Sequence, residues 1–303
     1  MTHRAQGTAE MTAAMIISGT IGLLVVLSGQ PVFNIVFWRC AVGGLTLLAA
    51  CAALGLFRPA VISRRQIVLA ALGGVAIVTN WLLLFAAYPR ASISIATAVY
   101  NTQPFMLVAM GAIFLGERLT LGRLGWLALA FFGMLAIVQG RPEAGYIGND
   151  YLLGILMALG AAFFYAIAAI ITKKLRGVPP HLIALIQLTV GILMLAPLAD
   201  FAALPSDLDG WTILVTLGVV HTGLMYILLY GAIQKLPTSL TGALSFIYPV
   251  VAIAMDMLAF GVRLQPTQIA GAAVILLAAA GSTLGWSMSR PGFGRRPMEQ
   301  PEQ

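Results

Sequence analysis

The chain has 303 residues, of which 60% are hydrophobic and 9% charged, with a mean hydropathy of +0.96. A soluble globular chain carries about 25% charged residues, so this composition excludes a soluble enzyme or binding domain and reads as an integral membrane protein. The net charge of +7 does not point to nucleic acid, because the basic residues stand singly or in short groups between apolar runs, where they act as topology signals.

A membrane span needs about 20 apolar residues. Ten such runs follow one another, at 10–28, 33–56, 66–88, 92–115, 121–139, 151–173, 181–199, 211–233, 238–260 and 266–287. Pro31, Arg58 with Pro59, Gly140 to Pro142, Pro179 with Pro180, Pro205 and Pro237 punctuate them. The first run begins late and lacks a small-residue cleavage site, so it is expected to be a retained helix and not a signal peptide. Cys40 and Cys51 lie on the second run, about 16 Å apart along a helix, too far to bridge. With His3, His181 and His221 dispersed, no metal or other cofactor site is expected.

Lys and Arg then give the orientation. If the N-terminus is cytoplasmic, thirteen of the 17 basic residues fall in inner segments, from Arg4 through Arg58, Lys173 and Lys235 to Arg296. Only Arg90, Arg141 and Arg263 fall outside, so both termini are expected inside. The tail 290–303 is then cytoplasmic.

The chain also repeats itself. An offset of 145 residues superposes Ser94, Ala98, Pro104, Ala109, Met110, Gly116, Arg118 and Leu119 on Ser239, Ala243, Pro249, Ala254, Met255, Gly261, Arg263 and Leu264. Arg39 falls on Gln187 after a shift of three. Two units are therefore expected, 1–140 and 151–289, joined by an outer linker at 141–150. Each unit holds five spans, an odd number, so the second copy enters from the opposite face and the repeats are inverted.

Ten helices in a five-plus-five inverted repeat, with a small-residue-rich fourth helix that carries the stretch Ser94 to Pro104 and ends in Gly116-Glu117-Arg118-Leu119, resemble the drug/metabolite transporter superfamily of EamA type. The second copy, Ser239 to Leu264, keeps the proline and the Gly-Xaa-Arg-Leu but has Val262 in place of Glu117. The resemblance implies an all-α protein of the bacterial inner membrane that exports small metabolites through a central cavity. It is most similar to the amino-acid exporters, including those for aromatic amino acids. The implied partners are a small-molecule substrate, such as an amino acid, and membrane lipid; a monomer is compatible with this reading.

Polar side chains at mid-depth should face protein or a water-filled path. Asn80, Trp81, Tyr100, Asn101, Gln103, Phe164, Tyr165, His221, Ser245 and Tyr248 are therefore the candidate substrate contacts, with helix packing the plainer alternative for each aromatic. Pro104 and Pro249 each free a carbonyl at mid-membrane and are candidate hinges. His221 suits substrate contact, packing or proton carriage. Arg39 and Asp256, both read toward the outer side, either snorkel to the interface or pair as an outer gate.

No GxxxxGK[ST] loop occurs, so the chain has no P-loop route to nucleotide hydrolysis. An intramembrane enzyme would need Ser245 and His221 at shared depth, yet no orienting carboxylate or oxyanion motif accompanies them. A channel would carry a repeated selectivity element, and none is visible. The reading is a secondary transporter, with a multidrug or other metabolite exporter as the alternative to an amino-acid exporter.

Overall fold

The computed structural model describes residues 3–58, 61–103, 105–106, 110, 121–138, 147–175, 177–236, 244 and 247–286. Among them the structure is helical throughout, with no strand element. The first half carries α1 (His3–Gly19), α2 (Ile21–Leu27), α3 (Val32–Ala53), α4 (Arg64–Ala91), α5 (Ile93–Tyr100) and α6 (Leu121–Val138). The second carries α7 (Tyr151–Lys174), α8 (Pro180–Leu195), α9 (Leu208–Gly218), a π-helical stretch (Val219–Leu224), α10 (Met225–Lys235), α11 (Ile247–Phe260) and α12 (Pro266–Leu284).

Five helical segments are long and apolar enough to cross a membrane: Ala5–Leu27, Val32–Ala53, Arg64–Ala91, Tyr151–Thr172 and Leu208–Leu229. Shorter apolar stretches stand at four further expected spans, and α5 occupies the start of the fourth. Local chemistry sets the helix ends. Ser63 Oγ accepts from the Gln66 N–H while Gln66 Oε1 accepts from the Ser63 N–H, a reciprocal cap that starts α4. Pro180 and Pro266 open α8 and α12, where a missing N–H costs nothing. Gly285, at φ 71°, closes α12 in the left-handed conformation that glycine adopts without strain.

Among the described residues the first and eighth spans depart from a plain helix. The first starts earlier than expected, at His3, and breaks at Thr20, between α1 and α2. The eighth widens into the π-helical stretch between α9 and α10. A π-turn leaves no mark on hydropathy, and such turns concentrate at functional sites.

Polarity is arranged inside out relative to a soluble protein. Leu193 and Leu258 are 72% and 80% exposed, and Phe132, Leu152 and Leu156 also face outward. Asn34, Arg39, Asn80, Ser94, Thr97, Gln187, His221, Thr222 and Asp256 are buried. An apolar exterior over a polar interior is what lipid demands, and the chain is a multi-pass membrane protein.

Helix contacts recur when the halves are exchanged. The first half's α4 packs on α7, and the corresponding exchange is α10 on α1. Likewise α4 packs on α8 as α9 packs on α3, and α5 packs on α7 as α11 packs on α1. The pairs α3 with α8, α5 with α11 and α6 with α12 map onto themselves.

Candidate functional site

At the middle of this arrangement is Arg39 of α3, 2% exposed. Its Nε donates to Thr222 Oγ1 at 2.9 Å, and its Nη2 donates to the His221 carbonyl at 3.3 Å. The widened turn makes both possible. Thr222 Oγ1 itself donates to the Leu217 carbonyl five residues back, at 2.9 Å, which aims its lone pairs at the guanidinium. The guanidinium carbon also lies 4.4 Å from the Trp81 ring centroid and 5.6 Å from that of Phe85.

A desolvated cation costs several kcal/mol. Hydrogen bonds to a charged group return about 1.5–3 kcal/mol each, and a desolvated cation–π contact about 2 kcal/mol. Together these match the penalty, so the cation is held without an acidic partner. Among the described residues no carboxylate lies within ion-pairing distance of Arg39.

Arg39, near the start of α3, is expected either to snorkel or to pair with Asp256; it is buried, and among the described residues its hydrogen bonds go to Thr222 and the His221 carbonyl instead. Asp256 is fully buried, and its Oδ2 accepts from the Ser94 N–H at 2.7 Å, near the start of α5.

Tyrosines surround the guanidinium. Tyr88, Tyr100, Tyr226 and Tyr248, four of the eight in the chain, lie within electrostatic range of it. The Tyr165 ring meets that of Tyr100 edge-on at 6.1 Å. Tyr165 stays 36% exposed although it touches a buried neighbour. Asn80 braces the group, its Nδ2 donating to the Ala161 carbonyl at 2.6 Å and to Tyr100 Oη at 3.3 Å. Tyr248 lies beside Tyr88 and Thr97.

Three buried oxygens on α4, α5 and the turn after it have no hydrogen-bond partner among the described residues: Asn80 Oδ1, Ser94 Oγ and Gln103 Oε1. Buried polar atoms are otherwise almost always paired. These oxygens, with Asn80 bonded to Tyr100 of the aromatic cluster, are able to hydrogen-bond a guest.

The remaining expected residues divide. His221 turns its ring away from Arg39, with Nε2 2.9 Å from Thr20 Oγ1 and Nδ1 3.2 Å from the Thr216 carbonyl. Asn101 returns its side chain to its own helix, donating to the Thr97 carbonyl at 2.8 Å. Phe164 is half-buried and meets Phe163 edge-on. Pro249 is buried in α11, whereas Pro104 and Ser245 lie outside the described residues. The α5 helix does end at Tyr100, four residues before Pro104, with Asn101 and Thr102 in a turn.

The EamA-like transporter family model matches the sequence twice, at residues 9–139 and 152–284. The chain belongs to this family. Among curated relatives of this EamA-like chain, an uncharacterized transporter, YxxF, of Bacillus subtilis strain 168 is 28% identical over 267 residues, covering 88% of this chain and 86% of the relative. A probable amino-acid metabolite efflux pump of Salmonella typhimurium strain LT2 is 27% identical over 209 residues, covering 65% and 69%. A solved crystal structure shares the fold with a TM-score of 0.62 at 22% identity, covering 93% of this chain and 97% of that one.

EamA-like transporters act on small molecules, and the residues gathered around Arg39 and Tyr100 here were only partly foreseen. Tyr88 follows Trp81 and Phe85 at helical spacing on one face of α4, a signal in the sequence that would have found it. Ser94, Thr97 and Asn101 share a face of the fourth span in the same way. Thr20 and Thr222 carry no comparable signal, because each is defined by a break in its own helix.

Proposed function

We propose that this chain is a secondary exporter of amino acids, aromatic and other neutral ones, and that the chamber around Arg39 and Tyr100 is its transport site. The observation that carries the reading is the chamber's composition. Arg39, Trp81, Tyr88 and Tyr100 come from the first half, and Tyr165, Thr222, Tyr226 and Tyr248 from the second. A site shared between two repeats is what a rocking mechanism requires, since relative motion of the halves opens it to one side or the other.

The repeats are read as inverted, 1–140 against 151–289, with both termini cytoplasmic in the bacterial inner membrane. The helix contacts that recur on exchanging the halves support the two-fold relationship, and the bias of Lys and Arg supports the orientation. In this reading Pro104 and Pro249 act as hinges, and Asn80, Trp81, Tyr100, Tyr165 and Tyr248 contact the substrate. Gln103 offers a further contact, and Asn101, Phe164, His221 and Ser245 shape the surroundings. Aromatic walls suit a bulky apolar side chain, and the buried oxygens suit an ammonium group. The name borne by the Salmonella relative points the same way.

Proteoliposomes loaded by counterflow test this. Saturable uptake of radiolabelled aromatic and aliphatic amino acids, with and without an imposed pH gradient, is the expected result. Failure to carry any amino acid under either condition would overturn the substrate assignment.

A further inference from the structure

The structure assigns Arg39 as the anchor for a carboxylate on the transported molecule, a role resting on the reading of the chamber as the transport site. Of the five guanidinium N–H groups, one goes to Thr222 and one to the His221 carbonyl. The Nη1 edge makes no hydrogen bond among the described residues. Arginine presents its donors in a rigid planar fork matched to the two oxygens of a carboxylate. Here the fork is fixed from behind by Thr222 and the π-turn and flanked by Trp81 and Phe85. Among the described residues no acid forms an ion pair with it, and tyrosine hydroxyls within electrostatic range are able to donate to the same anion.

The geometry also polarises the chamber. Asn80 Oδ1, on a side chain that is 1% exposed, lacks a partner among the described residues, and the fully buried Thr97 Oγ1 lies within hydrogen-bonding reach of Tyr248. The Asn80 amide oxygen accepts and the Thr97 hydroxyl can accept or donate, so this end of the site is able to receive an ammonium group while Arg39 stands at the other. A zwitterion would enter with its carboxylate toward α3 and its ammonium toward α4 and α5. A molecule with only an amine would leave the Arg39 fork unmet and place two cations in one buried volume.

The full-length protein, purified in detergent, is titrated calorimetrically with phenylalanine, phenyllactate, phenethylamine and phenylalaninamide. The two acids should bind at least about tenfold more tightly than the amine and the amide. In Arg39→Gln that preference should shrink to within about twofold, and Arg39→Lys, which keeps charge without the fork, should fall between. The wild-type comparison needs no variant, so misfolding of Arg39→Gln would not rescue the assignment. Equal binding of acids and amine by the wild type, or an acid preference that survives in Arg39→Gln, would overturn it. Tight binding of phenyllactate with phenylalanine no better than phenethylamine would support the Arg39 assignment while overturning the amino-acid reading. Binding of none of the four would overturn both.

Discussion

His221 Nε2 lies 2.9 Å from Thr20 Oγ1, so one hydrogen bond joins the break in the first span to the widened turn in the eighth. The Thr216 carbonyl can only accept, which places the His221 proton on Nδ1 and leaves Nε2 of the neutral ring to accept from Thr20. Thr20 has a second acceptor in reach, the Ile17 carbonyl at 2.9 Å. Thr20→Val should therefore orphan the buried Nε2 and destabilise the protein by about 1–3 kcal/mol. His221→Leu should cost a similar amount, and the double variant less than the two together. Thermal unfolding of all four proteins in detergent checks the cycle.

Asn80 should matter more than the tyrosine it touches. Asn80→Leu removes the 2.6 Å bond that ties α4 to α7 and the unpartnered oxygen together, whereas Tyr100→Phe removes only a 3.3 Å contact. Transport KM should rise about tenfold in Asn80→Leu and about twofold in Tyr100→Phe. Initial uptake rates across a substrate series in proteoliposomes give both values.

The approach of α3 to the eighth span depends on glycine. A Cβ at Gly43 would stand 2.7 Å from Thr222 Cγ2, and one at Gly218 would stand 2.4 Å from Val42 Cβ. Gly218→Val should overpack this seam, cost about 1–3 kcal/mol and pull Thr222 off Arg39. Gly122→Val, where a Cβ meets nothing within 4 Å, should leave stability unchanged. Melting temperatures and recovery from gel filtration separate the two.

Lys235 at the end of α10 and Glu10 of α1 form the one salt bridge among the described residues, with Gly231 packed against the Glu10 carboxylate. In the proposed orientation this pair holds the first and eighth spans together on the cytoplasmic side. The pair is only partly buried, so solvent still screens it to about 1 kcal/mol, and the expected effect is on the balance of conformations more than on folding. Glu10→Gln should change the uptake rate severalfold with little loss of melting temperature, and the charge swap Glu10→Lys with Lys235→Glu should recover part of it. Uptake by the single and swapped variants checks this.

Much of the fold was legible because lipid enforces a simple rule, that an apolar run of sufficient length is a helix. The runs read at 33–56, 66–88, 151–173 and 266–287 stand as Val32–Ala53, Arg64–Ala91, Tyr151–Lys174 and Pro266–Leu284. Expected depth put Asn80, Trp81, Tyr100, Tyr165 and Tyr248 into one candidate set, of which Asn80 bonds Tyr100 and Tyr100 meets Tyr165. Azimuth was not. Hydropathy places Arg39 near the start of its helix but is silent on the face it occupies, and the outward reading followed from charge alone. Its actual acceptors arise from a π-turn that sets the Thr222 hydroxyl and the His221 carbonyl toward α3, a feature of backbone hydrogen bonding that residue types do not announce.

Alternating access requires that the proposed site around Arg39 and Tyr100 be reached from both sides of the membrane. Cys40 and Cys51, both buried, are first replaced by alanine. Tyr165→Cys is then introduced beside Tyr100, and a membrane-impermeant maleimide is applied to right-side-out and inside-out vesicles. Labelling from both faces, slowed in both by transported amino acid, is the predicted result. Labelling from neither face, or from one face with no protection by any amino acid, would contradict it.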